Sequence, residues 1–190
     1  MKEEVVLASQ SPRRREYMAL LGVPYRCQSP QVDETRCNVR RPDRRCVALA
    51  RQKAMAVADD YPQAWCIGAD TLVVVDDEIL GKPRDEADAY GMLQRIQGRS
   101  HLVYTGVCLY RKKTEEQLCG YRRTRVWFAP MSAQQIRAYI RTGEPMDKAG
   151  AYGIQGRAAA YIQKIEGCYF NVVGLPVQLL AELCKQAGVL

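Results

Sequence analysis

Two rhythms of apolar and polar positions divide the chain, one of short unbroken apolar runs and one of helical spacing. Val5–Ala8 is continuously apolar and reads as a buried strand. A helix is expected from Pro12 to Leu21, with Ser11 as N-cap, Pro12 at the first helical position and Gly22 as the stop. Residues 24–42, which contain Pro24, Pro30 and Pro42, read as loop. A second helix runs from about Asp43 to Asp59, with Val47, Ala50, Ala54 and Val57 at helical spacing. "AWCIGADTLVVVDDEIL" reads as two strands around the turn signal Asp76-Asp77.

Asp85 to Gln97 has Ala89, Met92, Leu93 and Ile96 on one helical face and ends at Gly98. Residues 101–110 and 120–128 look like an antiparallel pair joined by the polar "RKKTEEQLC". In "MSAQQIRAYI", Ser132 and Gln135 make a capping box, and Met131 with Ile136 makes the hydrophobic staple of a further helix. "DKAGAYGIQGRAAAYIQKI" is a glycine-rich loop leading into a strand, and Gly174-Leu175-Pro176 starts a last helix that ends near Gly188. Helices mixed with fully apolar strands predict an α/β protein with a buried mixed sheet. No repeat, low-complexity tract or linker interrupts it, so residues 1–190 are expected to form a single domain.

Composition changes this picture little. A 47% hydrophobic and 26% charged chain is ordinary for a globular protein, and no run of about 18 apolar residues suggests a membrane span. The chain enters its first strand after four residues, where a signal peptide would differ, so a cytoplasmic location is expected. The eight cysteines include no C-x-x-C pair, and there is one histidine, so neither a zinc site nor a disulfide framework is expected. They read as reduced thiols. A net charge of +7 admits nucleic acid or a small polyanion as partner. The cations are dispersed and lack the long basic stripe of a nucleic-acid binder, so no nucleic-acid partner is expected. "RRPDRR" at 40–45 reads as a solvated, mobile loop.

Several residues break the pattern. Asp70 falls among apolar strand residues, where an unpaired carboxylate costs several kcal/mol. It is either a turn aspartate just past a strand end or a cleft carboxylate acting as general base or metal ligand. Lys53 falls on the inward stripe of its helix, and either snorkels or aims an ammonium at an anion. Lys82 occupies a tight Gly-Lys-Pro turn that presents one charge rigidly. Asp33 and Glu34 are either solvated loop carboxylates or a second acidic site. Arg13, Arg14 and Arg15 crowd the positive end of a helix dipole, where each cation is unfavourable by up to about 1 kcal/mol. A polyphosphate with a divalent metal would reconcile these features, since hard oxygens hold Mg²⁺ and a helix N-terminus with guanidiniums holds phosphate. The phosphate-loop and protein-kinase motifs are absent, as are G-x-S-x-G and any Cys-His pairing. His101 reads as structural, which leaves a carboxylate as the base for activating water.

"LASQSPRRRE", "VDET", "ARQKA", "GADTLVVVDDEILGKPRD", "EPMDKAGAYGIQG" and "NVVGLP" occur in this order. Together they resemble the Maf family of nucleoside triphosphate pyrophosphatases, over about Val5 to Leu180. The resemblance implies a three-layer α/β/α fold with a mixed sheet and a deep active-site cleft, often in a homodimer. It also implies hydrolysis of a nucleoside triphosphate to the monophosphate and pyrophosphate with Mg²⁺ or Mn²⁺. By position, Asp70 matches the proton acceptor, and Ser9, Arg14, Glu34, Lys53 and Lys82 match the other polar cleft positions. In this assignment Glu34 and Asp70 hold the metal, and Ser9, Arg13, Arg14, Lys53 and Lys82 bind the phosphates. Arg13, Thr71 and Gln155 match the dTTP/UTP branch, where the 7-methyl-GTP branch carries Trp, Gln and Glu. Gln155 donates and accepts at once, as a uracil or thymine edge demands. "GRAAAYIQ" departs from the family pattern, which usually has a glycine after the arginine. Alternatives left open are the same chemistry on a modified purine triphosphate such as 7-methyl-GTP, and a non-catalytic regulator of cell division.

Overall fold

The structure, a computed structural model, describes residues 3–190. Its strands are β1 (Val5–Ala8), β2 (Arg26–Gln28), β3 (Trp65–Val75), β4 (Glu78–Leu80), β5 (Ser100–Arg111), β6 (Glu116–Phe128) and β7 (Ile162–Glu166). They form a seven-stranded sheet in the order β2-β1-β3-β5-β6-β7, with β4 paired to β3 off this path. β1 is parallel to β2 and β3, whereas β4 runs antiparallel to β3 and β7 antiparallel to β6, so the sheet is mixed. The flanking helices are α1 (Pro12–Ala19), α2 (Pro42–Ala58), α3 (Glu86–Ile96), α4 (Ala133–Ile140), α5 (Tyr169–Val173) and α6 (Val177–Gln186). This is the α/β class that the hydrophobic pattern predicts. Among the described residues no helix is long and apolar enough to cross a membrane.

The chain condenses into two compact units. One contains the described residues up to Asp70 together with Thr105–Arg122 and Gly174–Leu190. Here β1 is buried along its whole length, and α2 buries Cys46, Leu49, Ala50, Lys53, Ala54 and Val57. Two glycines set how near α2 lies to the strands. A Cβ on Gly68 would lie 2.7 Å from the Ala54 backbone nitrogen and nearer still to the Ala50 carbonyl oxygen. A Cβ on Gly106 would lie 2.6 Å from the Val47 nitrogen. The helix therefore rests on bare backbone at both places.

The second unit contains Thr71–Tyr104 and Arg123–Val173. Its core joins Val73, Leu93, Val103, Phe128, Ile136 and Tyr139. Asp85 caps α3 by accepting the Asp88 N–H at 2.7 Å. The capping box of α4 forms as the sequence specifies, with Gln135 N–H donating to Ser132 Oγ and Ser132 N–H to Gln135 Oε1. Met131 and Ile136 are both buried in the same cluster. Asp76 and Asp77 turn β3 into β4 with φ of 50° and 62°, the paired positive φ of a tight hairpin. His101 is buried, with Nε2 2.7 Å from the Tyr152 hydroxyl. Burial pushes its pKa down to about 4, so the ring is neutral at pH 7.

The structure departs from the sequence pattern in instructive places. β2 lies inside the stretch that reads as loop, because a three-residue, mostly exposed edge strand carries no apolar run. Ser11 occupies the N-cap position of α1, but its side chain makes no cap bond; its N–H donates instead to Ser9 Oγ at 3.1 Å. "RRPDRR" is not simply solvated loop. Arg41 pairs with Asp43, and Arg45 donates to the carbonyl oxygens of Cys37 and Val39 and ties that segment to α2. Cys108 and Cys119 form a disulfide, where free thiols are expected from the sequence. Motif spacing is blind to this pair, because β5 and β6 bring together residues far apart for any short cysteine motif.

Gly68→Ala should lower unfolding stability by about 2 to 3 kcal/mol, since backbone atoms of α2 cannot yield as a side-chain tip would. Gly91→Ala, in the interior of α3 with nothing within 4 Å of its added Cβ, should instead stabilise by about 0.5 to 1 kcal/mol. Urea midpoints of the two variants provide the measurement.

Candidate active site

Alternation along β3 puts Gly68 and Asp70 on one face of the strand, the face on which α2 lies. Asp70 is thus mid-strand, not past a strand end, and is 5% exposed. Ala50 and Ala54 meet Gly68, and Lys53 lies on the same buried stripe of the helix. The result is a short ion pair, Lys53 Nζ to Asp70 Oδ1 at 2.5 Å. The same ammonium reaches Glu34 Oε1 at 2.8 Å. Glu34 opens a 3-10 turn, Glu34–Arg36, whose preceding residue Asp33 accepts the Thr35 N–H. Asp33 is occupied in holding this turn, which leaves Glu34 as the member of the "VDET" pair that joins the cluster.

One lysine therefore bridges two carboxylates of different character. The Asp70 side chain is almost fully buried, whereas about half of the Glu34 side chain is exposed. Burial holds the Asp70 carboxyl above the ordinary aspartate range, against the pull of Lys53 and Arg14 and with a further upward push from Glu34. Asp70 Oδ2 is buried and has no hydrogen-bond partner among the described residues. A buried carboxylate oxygen with an unused lone pair is an acceptor awaiting a proton, a water or a cation.

Arg14 in the first turn of α1 donates through Nε to the Gly174 carbonyl oxygen at 2.8 Å. Burial lowers its pKa, and the field of Asp70 partly restores it. Ser9 is buried at the end of β1, where its N–H donates to the Leu7 oxygen and its Oγ accepts from Ser11. Arg13 is half-buried beside Arg14, and Arg15 is exposed. Cys46 lies on the buried stripe of α2, and burial pushes its thiol up to about 12, which excludes a thiolate nucleophile there at neutral pH.

The structure thus gathers Glu34, Lys53 and Asp70 into one cluster, within the electrostatic reach of Arg14. Thr71, Lys82 and Gln155 belong to the second unit. Lys82 is exposed in the turn after β4, and Gln155 is exposed in the segment Gly153–Arg157. The Gly150 N–H donates to the Gly81 oxygen at 3.0 Å, which ties the Lys82 turn to the start of the glycine-rich segment. Gly68 reads in the sequence as a place beside Asp70 where backbone or ligand approaches closely, whereas sequence reasoning missed Gly106. Their signal, Gly within an apolar strand, marks a close backbone approach but does not say of what.

Among the described residues no group of three or more His, Cys, Asp or Glu side chains is arranged to hold a metal. The donor set still suits Mg²⁺ or Mn²⁺, which keep waters and substrate oxygens and need only one or two protein carboxylates. The unpartnered Asp70 Oδ2 and the half-exposed Glu34 are such a pair.

A family model described as Maf-like protein matches residues 4–187. A dTTP/UTP pyrophosphatase of Symbiobacterium thermophilum is 51% identical over 186 residues, which cover 98% of this chain and 95% of that relative. A dTTP/UTP pyrophosphatase of Pelotomaculum thermopropionicum is 47% identical over 98% of this chain and 97% of its own. One from a Geobacillus species is 44% identical over 98% and 99%.

Truncating Lys53 to alanine should destabilise the fold at pH 7 by about 3 kcal/mol, because a buried carboxylate loses its counter-charge. Glu34→Gln should change stability by less than about 1 kcal/mol, because the Glu34 carboxylate is itself half in water. Equilibrium urea unfolding of both variants checks the contrast.

Proposed function

The chain belongs to the Maf family, and on that footing we propose that it hydrolyses dTTP, UTP and related or modified pyrimidine triphosphates to monophosphate and pyrophosphate. The observation that carries this reading is the buried Lys53–Asp70 pair with one Asp70 oxygen unpartnered. The names of the relatives, which cover nearly the whole chain, support the substrate class. Residues 1–190 act as one nucleotide pyrophosphatase domain in this proposal, in the cytoplasm and as a homodimer.

Asp70 is the general base. Its raised pKa brings it nearer the pH at which it must accept a proton from water, while Lys53 keeps enough of it ionised to do so. The water oxygen forms a bond to the α-phosphorus, the α–β bridging P–O bond breaks, and the electron pair leaves on pyrophosphate. The water proton goes to Asp70. Lys53, Arg13, Arg14, Lys82 and Ser9 bind the triphosphate. The half-buried guanidinium of Arg14 is fixed by its bond to Gly174, so little reorganisation is needed when charge develops on the phosphate oxygens.

Glu34 and Asp70 are the residues that would hold a divalent cation, Mg²⁺ or Mn²⁺, which when bound neutralises and polarises phosphate oxygens. Thr71 and Gln155, with Arg13, read the base. The Gln155 amide can accept from the imide N–H of uracil or thymine and donate to the adjacent carbonyl.

Pyrophosphate release should be fastest with dTTP and UTP in a panel that includes dATP, dGTP, dCTP and 7-methyl-GTP, with Mg²⁺ or Mn²⁺ present. Asp70→Asn should lower kcat about 100-fold or more. Near-parental turnover in that variant would remove the general-base role.

A further inference from the structure

The Gly153–Arg157 segment that carries Gln155 has no regular structure across most of its length, yet both of its ends are held. The Arg157 N–H donates to Glu144 Oε2 at 2.9 Å. The Gly153 N–H donates to the Tyr139 hydroxyl at 3.2 Å, and that hydroxyl donates to Glu144 Oε1 at 2.8 Å. One carboxylate and one phenol thus suspend the segment from both sides. A Cβ on Gly156 would overlap the Glu144 carboxylate. A Cβ on Gly153 would lie 2.7 Å from Cε of Lys148. The glycines that flank Gln155 make room for this clamp.

The clamp is itself fixed. Tyr139 is 4% exposed on α4, and burial raises its pKa, so it stays a neutral donor. The Glu144 N–H donates to Thr142 Oγ1, whose hydroxyl donates to the Tyr139 backbone carbonyl oxygen at 2.6 Å. Lys148 Nζ donates to the Glu144 carbonyl oxygen at 2.7 Å and to Asp147. Every bond in this chain lies within the second unit.

We propose that Glu144 and Tyr139 are positioning residues for base selection, which fix the backbone on either side of Gln155 so that its amide meets a pyrimidine edge in one register. This rests on the assignment of Gln155 as a base reader. An amide that must donate and accept together needs its position held to within about 0.5 Å, and an untethered glycine-rich loop does not provide that. Neither Glu144 nor Tyr139 touches the substrate in this role. Both act through Gln155.

Glu144→Gln keeps the side chain's shape but leaves one acceptor oxygen for the two donors, the Tyr139 hydroxyl and the Arg157 N–H, and Tyr139→Phe removes the hydroxyl. Each should raise KM for dTTP and UTP about tenfold with a smaller fall in kcat, and narrow the preference over dGTP. Hydrogen exchange of the 153–157 amides should quicken in both. In a Gln155→Ala background, adding Glu144→Gln should cost little further selectivity, because the residue it positions is gone. A merely structural role would instead lower Tm and kcat and leave base preference intact, and its effects would add to those of Gln155→Ala. If Gln155→Ala keeps parental selectivity, the base-reader assignment fails and the positioning role with it. If Gln155→Ala loses selectivity while both Glu144→Gln and Tyr139→Phe keep it, the positioning role alone is overturned.

Discussion

The contact on which the site depends is one between backbones. Because Gly68 and Gly106 have no Cβ, α2 settles onto the strands closer than any side chain would allow. That closeness brings the Lys53 ammonium to within 2.5 Å of Asp70. A helix one methyl group further out would leave the carboxylate buried without a counter-charge, at a cost of several kcal/mol. Close packing and site electrostatics are therefore one constraint here.

The charge arrangement is built for exchange of partners. A single ammonium serves two carboxylates, one almost wholly buried and one half in water. Burial raises the pKa of Asp70 while the nearby cations restrain it, and its buried Oδ2 has no hydrogen-bond partner among the described residues. Arg14 adds a guanidinium anchored by a backbone carbonyl in the turn where the sequence crowds its arginines. In the proposed function, the unfavourable placement of those cations at a helix N-terminus is offset by the triphosphate they bind.

Much of this was legible in the sequence because charge out of pattern is conspicuous. Asp70 in an apolar strand and Lys53 on an apolar helical stripe announced themselves, and the structure joins them. The capping box at Ser132, the Asp76-Asp77 turn and most helix limits rest on local chemistry and were readable for that reason. What escaped depends on neighbours distant in sequence. β2 is too short and exposed to show an apolar run, and the Cys108–Cys119 disulfide exists only once β5 lies beside β6. Nothing local shows that Gly68 and Gly106 seat the same helix. Nothing local to Glu144 marks it as a clamp, and only folding places it under the flanking glycines of Gln155.

Water attack at the α-phosphorus, drawn from the buried Asp70, is the central claim, and the fate of the solvent oxygen tests it most directly. Hydrolysis of dTTP by the parental protein in oxygen-18 water, followed by mass spectrometry of both products, gives the position of bond formation. One labelled oxygen should appear in the monophosphate and none in pyrophosphate. Label in pyrophosphate, or release of orthophosphate and dTDP, would place the attack at another phosphorus and contradict the role given to Asp70.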